Sequence, residues 1–345
     1  MGSAVPFQAN SLLPGNFNET FLKNNDNKER LNIFLAQSFH RLHREGSLFT
    51  VTKGDTILSN DPNILNQSLS NNSAEEADQK LVRHMIQCIR SQIKECLIRT
   101  IDTDVIISLI SYRHHAGHLH KNVFACLTTV KPMYFNISEV AEKLGESKCR
   151  ALPFFYSFTG CDIVSSFFNQ GKCKFWDRWE EFDEEEELTN LFIKLSEKPS
   201  SVEGDSISLL ERYVGFVYYG KQIESLNLER LLDFEHSTHG NLKLIPPSRS
   251  GLKEHIKRSA YYAGWINYQC IENVILPEPS AWGWKLSGDK YSPLWCSNET
   301  EVDTDLVIMS CSCSSQKCLK CKCSNSSLSC ITFCKCQHKC LYKPI

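Results

Sequence analysis

A mixed α/β body followed by a small, metal-organised, cysteine-rich tail is the fold class this sequence predicts, and three observations predict it. Leu81, Val82, Met85, Ile86, Ile89 and Ile93 recur at helical spacing with polar positions between them. The short run Cys96–Ile101, β-branched at its end, passes through the acidic corner Asp102-Thr103-Asp104 into the apolar Val105–Ile110, a helix or a second strand, which is the rhythm of α/β proteins. Nine of the seventeen cysteines fall in the last thirty-five residues, among Lys, Ser and Asn with almost no apolar residues to build a core.

A length of 345 residues predicts about two domains. With 41% hydrophobic and 23% charged residues the composition is that of a soluble globular protein rather than a disordered chain. No apolar run approaches the roughly eighteen residues needed to cross a bilayer, which sets membrane function aside. The chain starts without a basic region followed by an apolar run, so no secretory signal is read and a reducing, intracellular compartment, the nucleus among them, is expected.

Taken in order, residues 1–47 form an Asn- and Ser-rich amino-terminal segment, read as partial, with a helical patch from Lys28 to Arg44. Residues 48–275 form the α/β domain with a helical extension. It opens on a strand-like Leu48–Thr52, a loop at Asn60–Ser73 and a helix of about five turns beyond it. Helical stretches follow at Ile137–Leu144 and Cys149–Phe158, the latter running into Thr159-Gly160-Cys161-Asp162. An aromatic-rich piece holds Phe167, Phe168, Phe175, Trp176 and Trp179. The acidic run Glu180–Glu187 after it reads as a solvated helix face or loop, or as an interaction element. Leu188–Tyr219 reads as helix broken at Pro199-Ser200-Ser201, and Leu252–Tyr268 as another helix. In that last helix Lys253, Lys257, Arg258, Tyr261, Tyr262 and Trp265 suit nucleic acid or ordinary packing, and packing is preferred because Trp and Tyr are core material first. Pro277-Glu278-Pro279 opens an extended linker over 276–307 that passes Trp282, Trp284 and Trp295 on the way to the tail at 308–345. The dispersed Cys88, Cys96, Cys126, Cys149, Cys161, Cys173, Cys270 and Cys296 read as buried free thiols.

The tail cysteines are Cys311, Cys313, Cys318, Cys321, Cys323, Cys330, Cys334, Cys336 and Cys340. Disulfides are the competing reading, but nine is odd and the expected compartment is reducing, so metal is favoured. Six terminal thiolates and three bridging ones would fill about twelve tetrahedral positions, enough for about three zinc ions. Six lysines and no acidic residue accompany the cysteines from Cys311 onward. Of these, Lys317, Lys320, Lys322, Lys335 and Lys339 are candidate phosphate contacts, which give salt-sensitive binding without sequence reading. The pattern Cys311-Ser312-Cys313, Cys318 with Cys321-Lys322-Cys323, Cys330, and Cys334-Lys335-Cys336 with Cys340 resembles the Tesmin/TSO1-like CXC family. The resemblance implies a three-zinc, nine-cysteine knot and, for several members, DNA binding. The chain departs from that pattern before the second C-x-C, where only Leu319-Lys320 stand in place of four residues often ending in Tyr.

Three acidic groups stand in an order that suits phosphodiester hydrolysis: Glu76-Ala77-Asp78, Asp102-Thr103-Asp104, and Asp162 in Gly160-Cys161-Asp162. Hard divalent cations want carboxylate oxygens, and carboxylates at the carboxyl ends of parallel strands converge on a ligand crevice. Each piece also has a structural reading. Ser73-x-x-Glu76 is a capping box, Asp78 suits a helix dipole, Asp102 and Asp104 suit a turn and cap, and Asp162 suits a cap on a helix starting at Ile163. Together they resemble the acidic series of the PIN-like and flap-endonuclease superfamily. Glu75-Glu76-Ala77-Asp78, Asp102-Thr103-Asp104-Val105 and Leu152-Pro153 through Asp162 look more closely like a group of transposon-derived or uncharacterised animal proteins that end in a CXC domain.

That resemblance implies a PIN-like, Rossmann-like three-layer domain with helical additions, and Glu76, Asp78, Asp102, Asp104 and Asp162 as ligands of Mg²⁺ or Mn²⁺. No apolar strand ending in Asp precedes Ser47, where nuclease relatives have one, and Asp55 is the sole early acidic residue at a strand end, so the acidic site reads as incomplete. The sequence holds no Ser/His/Asp series, Walker loop or dinucleotide fingerprint, and His114, His115, His118 and His120 read as a polar loop or a metal site. The expected function is a zinc-binding, nucleic-acid-associated protein with DNA as partner. An active Mg²⁺-dependent structure-specific nuclease and a protein-interaction module are the alternatives.

Overall fold

The structure is a computed structural model that describes residues 10–12, 16–41, 50–53, 56–60, 77–90, 95–115, 122–128, 131–183, 185–197, 202, 204–236, 244–268, 277–296 and 334–336. It is a mixed helical and sheet protein whose chain divides into two compact units, Met1–Val140 with Tyr268–Ile275, and Ala141–Asn267 with Leu276–Ile345.

In the first unit, helix α1 (Asn25–Arg41) begins where Asn24 Oδ1 accepts the backbone N–H of Asp26 at 2.9 Å and of Asn27 at 3.4 Å, an Asn cap on donors that have no partner inside the helix. It packs on an antiparallel hairpin of β1 (Thr50–Lys53) and β2 (Thr56–Ser59), closed by a Thr50–Ser59 hydroxyl pair at 2.8 Å. The expected helical patch and strand are both present, each shifted by two or three residues at its start. Helix α2 (Ala77–Arg90) realises the strong periodicity, with Val82, Met85 and Ile86 buried.

Strand β3 (Glu95–Thr100), helix α3 (Thr103–His115) and strand β4 (Asn122–Leu127) form a parallel β-α-β unit, and β5 (Met133–Asn136) returns antiparallel on β4. The apolar Val105–Ile110, open between helix and strand in sequence, is helix. A crossover is needed to bring β4 back parallel to β3, and α3 supplies it. One face of this sheet is buried through Ile98, Thr100, Val123, Ala125 and Leu127, and α2 packs against both α3 and β3. The other face carries Leu97 and Tyr134, 57% and 72% exposed. Strands β4 and β5 were not legible in sequence, because β4 is an apolar run without alternation and β5 has only four residues.

The second unit is helical around an aromatic core. Helix α4 (Ile137–Phe158) contains a break at Gly145, whose φ of 75° only glycine adopts cheaply. The two expected helical stretches are therefore two segments meeting at that residue. Pro153 inside the helix gives up a backbone donor, and the next N–H, that of Phe154, goes to Ser196 Oγ at 2.9 Å. Four further helices follow in order: α5 (Lys172–Phe182), α6 (Glu187–Glu197), α7 (Gly204–Tyr219) and α8 (Leu226–His236). The long α9 (Arg249–Tyr268) comes after them. Phe154, Phe158, Phe175, Trp179, Phe192 and Tyr213 are fully or almost fully buried. Their rings meet at 4.9 Å for Trp179–Phe192 and 5.2 Å for Phe154–Phe192, and Tyr213 donates its hydroxyl to Phe175 O at 2.6 Å. Burying each such ring is worth about 2 kcal/mol, with up to about 1 kcal/mol more per good ring pair.

The acidic run has structural work in this unit. Asp183 accepts the backbone N–H of Leu188 at 2.8 Å and of Thr189 at 2.9 Å, capping α6, while Glu180 pairs with Lys148 and Glu181 with Arg178. The basic-aromatic helix packs as preferred: Arg258 donates to Gly283 O at 3.0 Å and Leu294 O at 2.5 Å, and Tyr262 stacks on Trp265 at 5.2 Å. The stretch expected to be an extended linker is corrected by these bonds. Residues 277–296 fold into a 3₁₀ turn at Pro279–Trp282 and an antiparallel hairpin of β6 (Trp284–Ser287) and β7 (Lys290–Pro293), held to α9 by Arg258.

Candidate functional site

The acidic corner is built by the end of β3. Alternation along the strand buries Ile98 and Thr100 and turns Glu95, Leu97 and Arg99 outward. Thr100 O accepts from Thr128, N–H at 2.8 Å and Oγ1 at 3.0 Å, while Thr100 Oγ1 accepts the N–H of Asp102 at 3.0 Å, which turns the chain off the strand. Asp102 then caps α3: its Oδ1 accepts the N–H of Asp104 at 2.9 Å. Asp104 stands in the first turn, where the helix dipole favours a carboxylate. Both are half-buried at the carboxyl end of a parallel strand, so the capping reading of Asp102 is realised at the very position where α/β folds place ligands.

The Gly160-Cys161-Asp162 loop is held from three sides. Thr159 Oγ1 donates back to Phe155 O at 2.8 Å, ending α4. Gly160 takes a φ of 107°, and a Cβ there would lie 2.5 Å from Ser166 Cβ, so the loop requires glycine. Lys172 Nζ reaches Tyr156 O at 2.9 Å, Thr159 Oγ1 at 3.1 Å and Gly160 O, and sits 4.1 Å from the centroid of the Tyr156 ring.

From the third side His255, 6% exposed, donates Nε2–H to Phe158 O at 2.8 Å and accepts the Ser165 hydroxyl on Nδ1 at 3.2 Å. Burial pushes its pKa down to about 4, so the ring is neutral and the tautomer follows from the carbonyl it faces. Asp162 is exposed and makes no hydrogen bond or ion pair among the described residues. The reading of Asp162 as the cap of a helix starting at Ile163 is corrected: residues 162–164 are a bend and the next helix starts at Lys172.

Asp102 and Asp104 belong to the first unit and Asp162 to the second. Asp78 is on the first turn of α2, with its side chain outside the described residues, and Glu76 lies outside them altogether. Among the described residues, no three His, Cys, Asp or Glu side chains come together as a metal-holding group. His114 and His115 end α3, while His118 and His120 lie outside the described residues.

Of the tail, Cys334, Lys335 and Cys336 are described. The two cysteines share one turn and are 1% and 8% exposed, with Lys335 exposed between them. Cys311, Cys313, Cys318, Cys321, Cys323, Cys330 and Cys340, with Lys317, Lys320, Lys322 and Lys339, lie outside the described residues.

Lys172 and His255 are the residues that sequence reasoning passed over. The signal for Lys172 is a lysine directly after Gly171 at a helix start, and for His255 a lone polar ring on the apolar face formed by Leu252, Ile256 and Ala260. No protein-family model matches this chain, and no curated protein or solved structure does.

Proposed function

We propose that this chain is a zinc-binding, nucleic-acid-associated protein whose carboxyl-terminal tail docks on DNA and whose α/β unit carries a nuclease-like, incomplete acidic site. The observation that carries the reading is the nine-cysteine run from Cys311 to Cys340, accompanied by lysines and by no acidic residue. Thiolates are the donor set zinc prefers, and Cys334 and Cys336, buried within one turn, fit that use. All nine would hold the ions, about three of them, and bound zinc would supply the folding energy that this apolar-poor segment lacks. The lysines would then meet phosphates, and such a role carries with it a nuclear location. The finer fold reading, a PIN-like three-layer domain, draws support from the parallel β3-α3-β4 unit with its acidic corner at the strand's carboxyl end.

The test uses the full chain, purified under reducing conditions. Native mass spectrometry should count about three zinc ions, and anisotropy with labelled duplex DNA should give affinity falling linearly in log salt. A zinc-loaded chain that ignores DNA at low salt overturns the proposal.

One observation favours a second reading, the working nuclease: Asp102 caps α3 at the carboxyl end of the parallel strand β3 with Asp104 in the first turn of that helix, the end of a strand where α/β folds bind ligands, and Asp162 is exposed in the other unit. Magnesium bound there would activate water and neutralise the leaving oxygen. Asp102→Asn or Asp162→Asn should then abolish Mg²⁺-dependent cleavage of flap or single-stranded DNA, and an unmutated chain without cleavage ends this reading.

A further inference from the structure

Ser165 and His255 are 90 positions apart in sequence, and the fold of the second unit brings them into one hydrogen-bonded relay. The Ser165 hydroxyl donates to His255 Nδ1 at 3.2 Å, and Nε2–H of the same ring donates to Phe158 O at 2.8 Å. From this relay we propose that Ser165 is the nucleophile of an esterase site with His255 as its general base, and that the substrate is an uncharged ester with an apolar acyl group.

The ring is held for that role. Phe158 and Phe167 pack on it with centroids 5.3 and 5.0 Å away, and the Phe158 carbonyl fixes the tautomer that leaves an Nδ1 lone pair facing the hydroxyl. The carbonyl thus fills the orienting place that a carboxylate has in a Ser-His-Asp triad. The serine, in turn, is presented outward. Val164 and Phe167 are buried on either side of it, the N–H of Cys161 donates to Val164 O at 2.9 Å, and Ser165 itself is exposed.

The same loop supplies the contacts an ester needs. Ile163 and Phe168 flank the serine and are 46% and 49% exposed, which offers apolar surface to an acyl chain. Asp162, exposed two residues before Val164, disfavours an acidic substrate. The N–H of Ser166, next after the nucleophile, has no acceptor among the described residues and is the donor placed to meet an oxyanion.

The chemistry balances with water as co-reactant. The Ser165 oxygen bonds to the ester carbonyl carbon while its proton passes to His255 Nδ1. The carbon–alkoxy bond then breaks, and the leaving oxygen takes that proton and departs as an alcohol. Water attacks the acyl carbon next, giving a proton to Nδ1, and the Ser165 oxygen leaves and takes the proton back. One ester and one water have become an acid and an alcohol.

The experiment uses the full chain loaded with zinc, at neutral pH. An alkyl fluorophosphonate should label Ser165, found in the tryptic peptide of residues 151–172, and p-nitrophenyl butyrate should release p-nitrophenol. Ser165→Ala, a change at an exposed position, should lose both signals, and His255→Gln should slow labelling about a hundredfold. The unmutated chain unfolded in urea should take up no label, a comparison that needs no variant to fold. A native chain left unlabelled at Ser165 overturns the proposal. So does label taken up equally in urea, or ester hydrolysis that survives Ser165→Ala.

Discussion

Asp102 Oδ1 accepts the backbone N–H of Asp104 at 2.9 Å, so the foremost candidate for metal chemistry already caps α3. A cap needs only an oxygen acceptor, whereas a metal ligand needs the charge, and substitutions separate the two uses. Asp102→Asn keeps the acceptor and should shift stability by no more than about 0.5 kcal/mol, while Asp102→Ala should cost about 1 kcal/mol in urea unfolding. If Asn leaves both stability and any Mg²⁺-dependent cleavage untouched, Asp102 is a cap alone.

Gly160→Ala should cost about 3 kcal/mol, because a φ of 107° strains any other residue and the new methyl would overlap Ser166. Lys172→Met should cost about 2 kcal/mol by stranding the carbonyls and hydroxyl its ammonium serves. Tryptophan fluorescence reads both, since all six tryptophans lie between Trp176 and Trp295. A Gly160→Ala chain with an unchanged urea midpoint would show that the loop does not need this conformation.

His255 makes the stability of this unit pH-dependent with a definite sign. Its folded pKa of about 4 lies below the ordinary 6.5, so above about pH 6.5 neither state holds the proton and the full stability is present. As pH falls toward 4 the unfolded chain takes up a proton the buried ring refuses, and stability drops by up to about 1.4 kcal/mol per unit, roughly 3 kcal/mol in all. Urea midpoints at pH 7 and pH 5 should differ by less in His255→Gln than in the unmutated chain. Equal differences would mean the ring titrates normally in the fold.

In the tail, Cys336→Ser should lower the zinc count by native mass spectrometry. Lys335→Ala should leave that count intact and reduce the slope of log affinity against log salt by about one. A zinc count unmoved by Cys336→Ser would remove that thiol from the metal set.

Particular elements show what was legible. The periodicity of Leu81, Val82, Met85 and Ile86 was readable because burial of one helix face is a local matter, while Ile93 and the expected break at Pro199-Ser200-Ser201 lie outside the described residues. The corner at Asp102 was readable for the same reason, and so was its double meaning, since a capping Asp and a liganding Asp have one sequence signature. Helices α5 and α8 and the hairpin at Trp284–Pro293 were missed, because aromatic content and Pro277-Glu278-Pro279 spoke louder than weak periodicity.

What the sequence determined by itself is the cysteine-rich, acid-free composition of the tail and the order of the acidic motifs, because both depend on residue type and spacing along the chain. Tertiary structure alone decided that Lys172 and His255, 83 positions apart, clamp the same loop, and that Asp183 caps a helix instead of standing in a solvated acidic run. Each of those outcomes depends on which side chains the aromatic core and the parallel strands bring within about 3–4 Å of one another, a matter of packing that no local pattern encodes.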